Sequence, residues 1–239
     1  MVLQKYVVLD IEGTVCAISF VKDVLFPYFL KALPDILSLH FSSSPPPDLQ
    51  SYIDAFPPTV RTSYDSSYMY IRDLTIADKK IPELKALQGY VWRKGYEVGE
   101  LKAPLFPDVY KVLDIWTGAN CFTKSKRSVF IYSSGSVDAQ ISLFAHTEQG
   151  DLTKGIQGYF DTVRAGLKTD PASYVRITNQ IGDDVDPREI LFLSDNVNEI
   201  VAAKEAGWEA YLVERPGNAP LSEEDRKAHK VIQNFESLI

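Results

Sequence analysis

Asp10 and Glu12 stand at the exit of an apolar run, Tyr6-Val7-Val8-Leu9, and Gly13 follows at once. A run so short and so β-branched reads as a strand buried on both faces. In open α/β sheets the ligand crevice lies beyond the carboxyl ends of the strands, so a carboxylate placed there faces a site and not the core. Gly13 permits the tight exit that keeps the two acids close. Taken alone, the stretch is equally a strand followed by a polar turn, and three further stretches decide between the readings. Ser133-Ser134-Gly135-Ser136 follows the run Ser128–Tyr132 and opens a helix, which aims hydroxyls and free backbone N–H groups at one point beside the helix's positive end. Ser136 alone would suffice as a helix cap, and the two serines before it favour an anion site. Leu193-Ser194-Asp195-Asn196 ends another apolar run, with Glu199 one helical turn beyond Asp195. Its ordinary reading is an Asx turn capping the next helix. Asp10 and Asp195 together match what Mg²⁺ takes from a protein, one or two carboxylates with positions left for water and phosphate. Glu199 is expected to orient the site and not to ligate the metal. Lys168, just before the helix capped by Asp170, can hold a phosphate oxygen and offset a neighbouring carboxylate. As a lone loop lysine it would be a solvated surface residue.

Composition narrows the class. The chain has 239 residues, 45% of them hydrophobic, enough for one large domain or a core with a smaller inserted one. Its 25 basic and 32 acidic residues give a formal charge of -7, which argues against a nucleic-acid partner. The first residues carry neither a long apolar segment nor a small-residue cleavage site, and no later run is long enough for a membrane helix. The cytoplasm, with the nucleus also open, is the expected compartment, and no membrane partner is expected. Cys16 and Cys121 are the two cysteines, and His40, His146 and His229 lack metal-ligand spacing, so structural or surface roles are expected for all five. There is no G-x-x-x-x-G-K-[ST] loop, no G-x-G-x-x-G after a strand and no G-x-S-x-G elbow, so NTPase, dinucleotide-binding and serine-hydrolase readings have no support.

The elements that must position these residues follow from periodicity. After the first strand, Ser19 is expected to cap a helix carrying Phe20, Val24, Phe29 and Leu33, with Pro27 and Pro34 bending or ending it. Residues 41–47, FSSSPPP, read as a surface loop, and 48–80 as short helices. Leu84, Leu87, Val91 and Trp92 form one stripe of a helix that opens at Pro82 and ends before Gly95. From Pro107 the pattern changes to brisk alternation. A helix runs from Pro107 to Gly118, Ser128–Tyr132 is a strand, and Val137, Ile141 and Phe144 mark a helix. Asp170 and Pro171 open another, Ile190–Leu193 is a strand, Asn198–Ala206 a helix and Ala210–Val213 a strand. Such alternation predicts a Rossmann-like α/β core, a parallel sheet wrapped by helices, made of residues 1–18 and 102–239. Residues 19–101 form a helical cap inserted after strand one.

Acid, serine, lysine and acid, each at a strand end and in that order, resemble the haloacid dehalogenase superfamily of aspartate-nucleophile phosphotransferases. DIEGTVCAISFVKDVLFPY, LKALQGYVWRKGYEVGELKAP, IYSSGSVDAQ and ERPGNAP narrow the resemblance to the acireductone synthase family, the enolase-phosphatases of methionine salvage. Glu12 stands where most of the superfamily carries aspartate, and the resemblance weakens between Phe41 and Lys80. It implies a bifunctional enzyme that enolises a small phosphorylated diketone, 2,3-diketo-5-methylthiopentyl-1-phosphate, and hydrolyses its phosphate through an aspartyl-phosphate. It also implies one Mg²⁺ held by Asp10, the main-chain carbonyl of Glu12 and Asp195, with Ser133, Ser134 and Lys168 on the substrate. Asp10, Glu12 and Lys168 are then the catalytic residues, with Asp10 the nucleophile and Glu12 a candidate base for enolisation, and the protein is expected to be a monomer. Two rivals stay open at this point: a phosphatase of another small phosphoester, and a receiver-type signalling domain, which also uses a strand-end aspartate, a hydroxyl residue, a lysine and Mg²⁺.

Overall fold

The computed structural model describes residues 4–118 and 127–239, and Cys121 lies outside the described residues. The chain falls into two compact units, Ser19–Leu101 and the remainder, Met1–Ile18 with Lys102–Ile239.

The first unit is helical. Its helices are α1 (Phe26–His40), α2 (Pro47–Asp54), α3 (Tyr64–Ile76) and α4 (Pro82–Glu97). Phe29, Leu33 and Leu37 on α1, Leu49 and Ile53 on α2, Ile71 on α3, and Leu84, Leu87 and Val91 on α4 recur at helical intervals and close on one another as a single buried cluster. Each such side chain contributes roughly 1.5–3 kcal/mol by leaving water. The entry differs from the expectation of one capped helix. Ser19 makes no side-chain cap, Phe20–Leu25 is a π-helix, and Val24 is exposed. The wider turn rotates Val24 off the stripe, and Trp92 Nε1 donates to Leu25 O at 2.9 Å where that turn ends. Pro27 lies in the first turn of α1, where a missing N–H costs nothing, while Pro34 sits inside the helix without ending it. Gly95 does not stop α4 either. A Cβ there would stand 2.7 Å from the Tyr28 ring, so glycine at this position serves close approach of two helices.

The second unit holds six strands: β1 (Tyr6–Leu9), β2 (Ser128–Tyr132), β3 (Ile156–Phe160), β4 (Ile190–Ser194), β5 (Glu209–Val213) and β6 (Val231–Ile232). They form one parallel sheet in the order β3-β2-β1-β4-β5-β6. This is the doubly wound Rossmann order, whereas receiver-type domains use 2-1-3-4-5, so the topology removes that rival. The chain winds one way from β1 through β3 and the other way from β4 through β6, which opens the crevice beside the carboxyl end of β1. The central strands β1 and β4 are apolar because both faces are covered: Val7, Val8, Leu9, Phe192 and Leu193 are fully buried. Helices α5 (Pro107–Thr117), α6 (Val137–Ala145), α7 (Pro171–Ile181), α8 (Val197–Glu205) and α9 (Glu223–Ala228) accompany the strands. Gly118 ends α5 in the left-handed conformation, at φ 65°. On α6, Leu143 and Gln140 are buried and Ile141 is exposed, so the stripe is turned from the expected one.

One buried ion pair ties the carboxy-terminal segment to this core. Arg215 donates to both oxygens of Asp108 at 2.8 Å, to Thr14 O at 3.1 Å and to Gln233 O at 3.0 Å. Its guanidinium stacks 4.5 Å from the Phe106 ring and 4.9 Å from that of Phe235, and Asp108 also accepts from Phe235 N. Removing the cation leaves a buried carboxylate without its partner. Arg215→Ala should therefore lower unfolding stability by about 3–5 kcal/mol in urea titration, and a loss under about 1 kcal/mol would contradict this role.

Candidate active site

The sheet register places the site residues level with one another. Leu9 pairs with Ile131 on one side and Leu193 on the other, so Asp10, Tyr132 and Ser194 follow at one height, with Ser133 and Asp195 a residue further along. Asp10 N donates to Leu193 O at 3.0 Å, which extends the β1–β4 ladder to the nucleophile candidate. Asp10 is buried, as are Ser133, Lys168, Ser194 and Glu199.

Lys168 is the centre of the arrangement, contrary to the solvated reading of a lone loop lysine. Its Nζ lies 2.5 Å from Asp10 Oδ1 and 2.7 Å from Glu199 Oε2. Glu199 also accepts from Ser194 Oγ at 2.7 Å, while Asp10 Oδ2 lies 3.4 Å from the same hydroxyl. Burial works against the ammonium, but the two carboxylates outweigh it and raise its pKa, so Lys168 stays charged. The loop that delivers it is tied at several points. Tyr174 donates to Lys168 O at 2.6 Å, Tyr132 donates to Gly166 O at 2.8 Å, and Asp161 Oδ1 accepts from Val163 N and Arg164 N. Burial raises the pKa of Tyr174 and pushes Tyr132 up to about 12, so both phenols remain donors near neutral pH. Asp170 Oδ1 accepts from Ala172 N and caps α7 immediately after.

Ser133 N donates to Phe160 O at 3.1 Å and Ser133 Oγ accepts from Gly135 N at 3.3 Å, which turns the chain into α6. Ser136 Oγ accepts from Ala139 N as the cap, so neither Ser133 nor the exposed Ser134 is the residue that caps α6. Asn196 Oδ1 accepts from Asn198 N, so the Asx cap is present, but it belongs to Asn196 and not to Asp195. The Glu12 side chain is exposed at the same edge. Gly13 has φ +71°, and a Cβ on it would stand 2.7 Å from Asp195 Cγ, so only glycine lets the two strand ends meet here.

Charge decides whether a cation fits. Among the described residues no group of three or more His, Cys, Asp or Glu forms a metal cluster. Mg²⁺ needs only one or two carboxylates, and it is the balance of charge that calls for it. Asp10, Asp195 and Glu199 face a single ammonium. Burial, then the charges of Asp10 and Glu199, push Asp195 up to about 7, and burial also raises Glu199. An oxygen-lined site short of positive charge suits a hard divalent ion. The histidines go elsewhere: His146 Nδ1 lies 2.9 Å from Ser142 O and His229 Nδ1 lies 3.1 Å from Lys204 Nζ. Cys16 is buried with its thiol pKa raised by that burial, as fits a structural residue. The supporting roles of Tyr132 and Tyr174 carry no motif in the sequence; position beside a strand end and ahead of Lys168 is their one signal.

A family model described as haloacid dehalogenase-like hydrolase matches residues 4–207. The chain is 51% identical over 236 residues to Enolase-phosphatase E1 of Sordaria macrospora, covering 98% of this chain and 97% of that one. It is 46% identical over 242 residues to Enolase-phosphatase E1 of Candida tropicalis, covering 97% of each. The crystal structure of the UTR4 protein of Saccharomyces cerevisiae is similar with a TM-score of 0.81 and 39% identity, over 98% of this chain and 99% of that one.

The Asp195 carboxyl gives a pH prediction for the metal-free protein. Its pKa rises from the ordinary 3.8 to about 7 on folding, so the folded state binds the proton more tightly. The stabilisation is complete below the unfolded value and is lost as pH rises towards the folded one. In EDTA, Tm of the parent should fall relative to Asp195→Asn as pH rises from 4 to about 7. Mg²⁺ should remove the difference, and parallel pH profiles for the two proteins would contradict it.

Proposed function

The chain belongs to the haloacid dehalogenase-like hydrolases, and from that footing we propose that it is an enolase-phosphatase. It enolises 2,3-diketo-5-methylthiopentyl-1-phosphate and then removes the phosphate, giving the acireductone of methionine salvage. The observation that carries this reading is the near-full-length likeness to enzymes bearing that name. The buried grouping of Asp10, Lys168 and Glu199 supports it as the seat of the chemistry.

In the phosphatase half, a carboxylate oxygen of Asp10 attacks phosphorus and the bond from phosphorus to the substrate oxygen breaks. Water then attacks the aspartyl-phosphate at phosphorus, releasing inorganic phosphate and restoring the carboxylate. Lys168 holds Asp10 Oδ1 and Glu199 Oε2 in the ground state, and its one remaining N–H is available to a phosphoryl oxygen whose charge must be stabilised. Glu199 and Ser194 keep that ammonium from leaving the crevice. Ser133 and Ser134, at the opening of α6, bind the phosphate. Asp10, Asp195 and the Glu12 carbonyl would hold one Mg²⁺, which would supply positive charge to the transferring phosphoryl group and the diketone oxygen. For enolisation the exposed Glu12 carboxylate is the candidate base, two residues from the nucleophile.

If one pocket serves both steps, the variants separate them. Asp10→Asn should lose phosphate release by on the order of a thousandfold or more, while still accumulating enol, because proton transfer needs no attack on phosphorus. Lys168→Ala should slow both, since misplacing the substrate by about 1 Å costs roughly a hundredfold. Enol absorbance and phosphate release are followed separately with the diketo phosphate. Normal enolisation without phosphate release in Lys168→Ala would require two independent sites.

A further inference from the structure

The segment Glu214-Arg215-Pro216-Gly217-Asn218 has a sequence signature but no part in the chemistry above. It is a tight turn in which Asn218 N donates to Arg215 O at 3.1 Å, with proline second and Gly217 at φ 91° third, as a type II turn requires. The turn sets Arg215 and Asn218 at its two ends, and both reach the residues that follow Asp10. Arg215 Nε donates to Thr14 O, and Asn218 Nδ2 donates to Gly13 O at 2.9 Å and to Val213 O at 3.2 Å. Both partners of the asparagine nitrogen are carbonyls, so the orientation of the amide is fixed by chemistry. Its oxygen must then point the other way. Asn218 Oδ1 is shut off from solvent and has no hydrogen-bond partner. It stands 3.0 Å from the position a Gly13 Cβ would take, the same point that lies 2.7 Å from Asp195 Cγ. The amide oxygen and the Asp195 carboxylate thus flank one face of Gly13.

A buried acceptor left without a donor is costly, so it is the work of Nδ2 on Gly13 O that accounts for the asparagine here. We propose that Asn218 is a positioning residue of the Mg²⁺ site, clamping the Gly13 turn through Nδ2 and packing its amide beside the Asp195 carboxylate. The inference rests on Asp195 and the Glu12 carbonyl being the ligands. The Glu12 carbonyl shares its peptide plane with Gly13 N, which donates to Cys16 O at 2.8 Å, while Asn218 holds the next carbonyl, Gly13 O. Two adjacent peptides are therefore pinned in orientation, and one of them carries the ligand oxygen. Partners of this kind, one step out from the ligands, typically change metal affinity by 10–100-fold when removed.

The test is direct titration of the metal, without substrate. Mn²⁺ binding followed by electron paramagnetic resonance, and the Mg²⁺-induced rise in Tm, are measured in the parent, Asn218→Ala, Asn218→Ser and Asp195→Asn, each starting from EDTA-treated protein. Asn218→Ala should bind the ion about 10–100-fold more weakly, and its Mg²⁺-induced rise in Tm should shrink accordingly. Asn218→Ser should show the same direction and serves where the alanine variant does not fold. Parent-like affinity in either variant, even with a lower metal-free Tm, would make Asn218 merely structural and overturn the inference. If Asp195→Asn binds the ion as the parent does, the ligand assignment itself fails, and this inference with it.

Discussion

Three carboxylates around one buried ammonium are the condition that the rest of this crevice must satisfy. Lys168 lies within ion-pair distance of Asp10 and Glu199, and Asp195 has no cation of its own in the described contacts. A buried ion pair contributes little net stability, because desolvation consumes most of the attraction. Such a grouping persists only if the scaffold holds every member rigidly. Here β1 and β4 fix the two aspartates through the sheet register, Gly13 lets their loops touch, and two tyrosines secure the lysine loop from behind. The same imbalance that makes the site costly without a metal makes it receptive to a divalent cation and then to a phosphoryl group.

Asp10, Ser133, Lys168 and Asp195 are legible in the sequence because each ends or follows an apolar run, and apolar runs are what a doubly covered parallel sheet demands. Strand β3 is not legible. Ile156 and Phe160 are its buried ends, Gln157 is exposed and Gly158 interrupts it, so neither a continuous apolar run nor a clean alternation appears. The clamp of Arg215 and Asn218 on residues 13 and 14 escapes for a different reason. Their partners lie about two hundred positions away in the chain, and only the fold brings the turn after β5 to β1's exit. Lys168 shows the limit from the other side: its type and place are readable, yet its burial depends on Tyr132 and Tyr174, which read as ordinary core aromatics. Gly95 likewise reads as a helix stop until the Tyr28 ring beside it is known.

Glu199 links these observations. Its spacing from Asp195 marks it as an orienting residue, and in the structure it bonds Ser194 and the lysine and stands back from the Gly13 face where Asp195 sits. The acids thus divide by environment, and the proposed roles follow that division: Asp10 shares the lysine at the end of β1, Glu199 anchors the lysine, and Asp195 lies against Gly13. Burial and charge, not residue type, assign those roles.

If Asp10 is the nucleophile of this array, phosphate must reside on it during turnover. Mixing the protein with the diketo phosphate and Mg²⁺, quenching in acid within the first turnovers and mapping peptides by mass spectrometry should locate an acid-stable, base-labile phosphate on Asp10. Turnover with no phosphopeptide at any quench time, or with phosphate on another residue, would contradict the assignment.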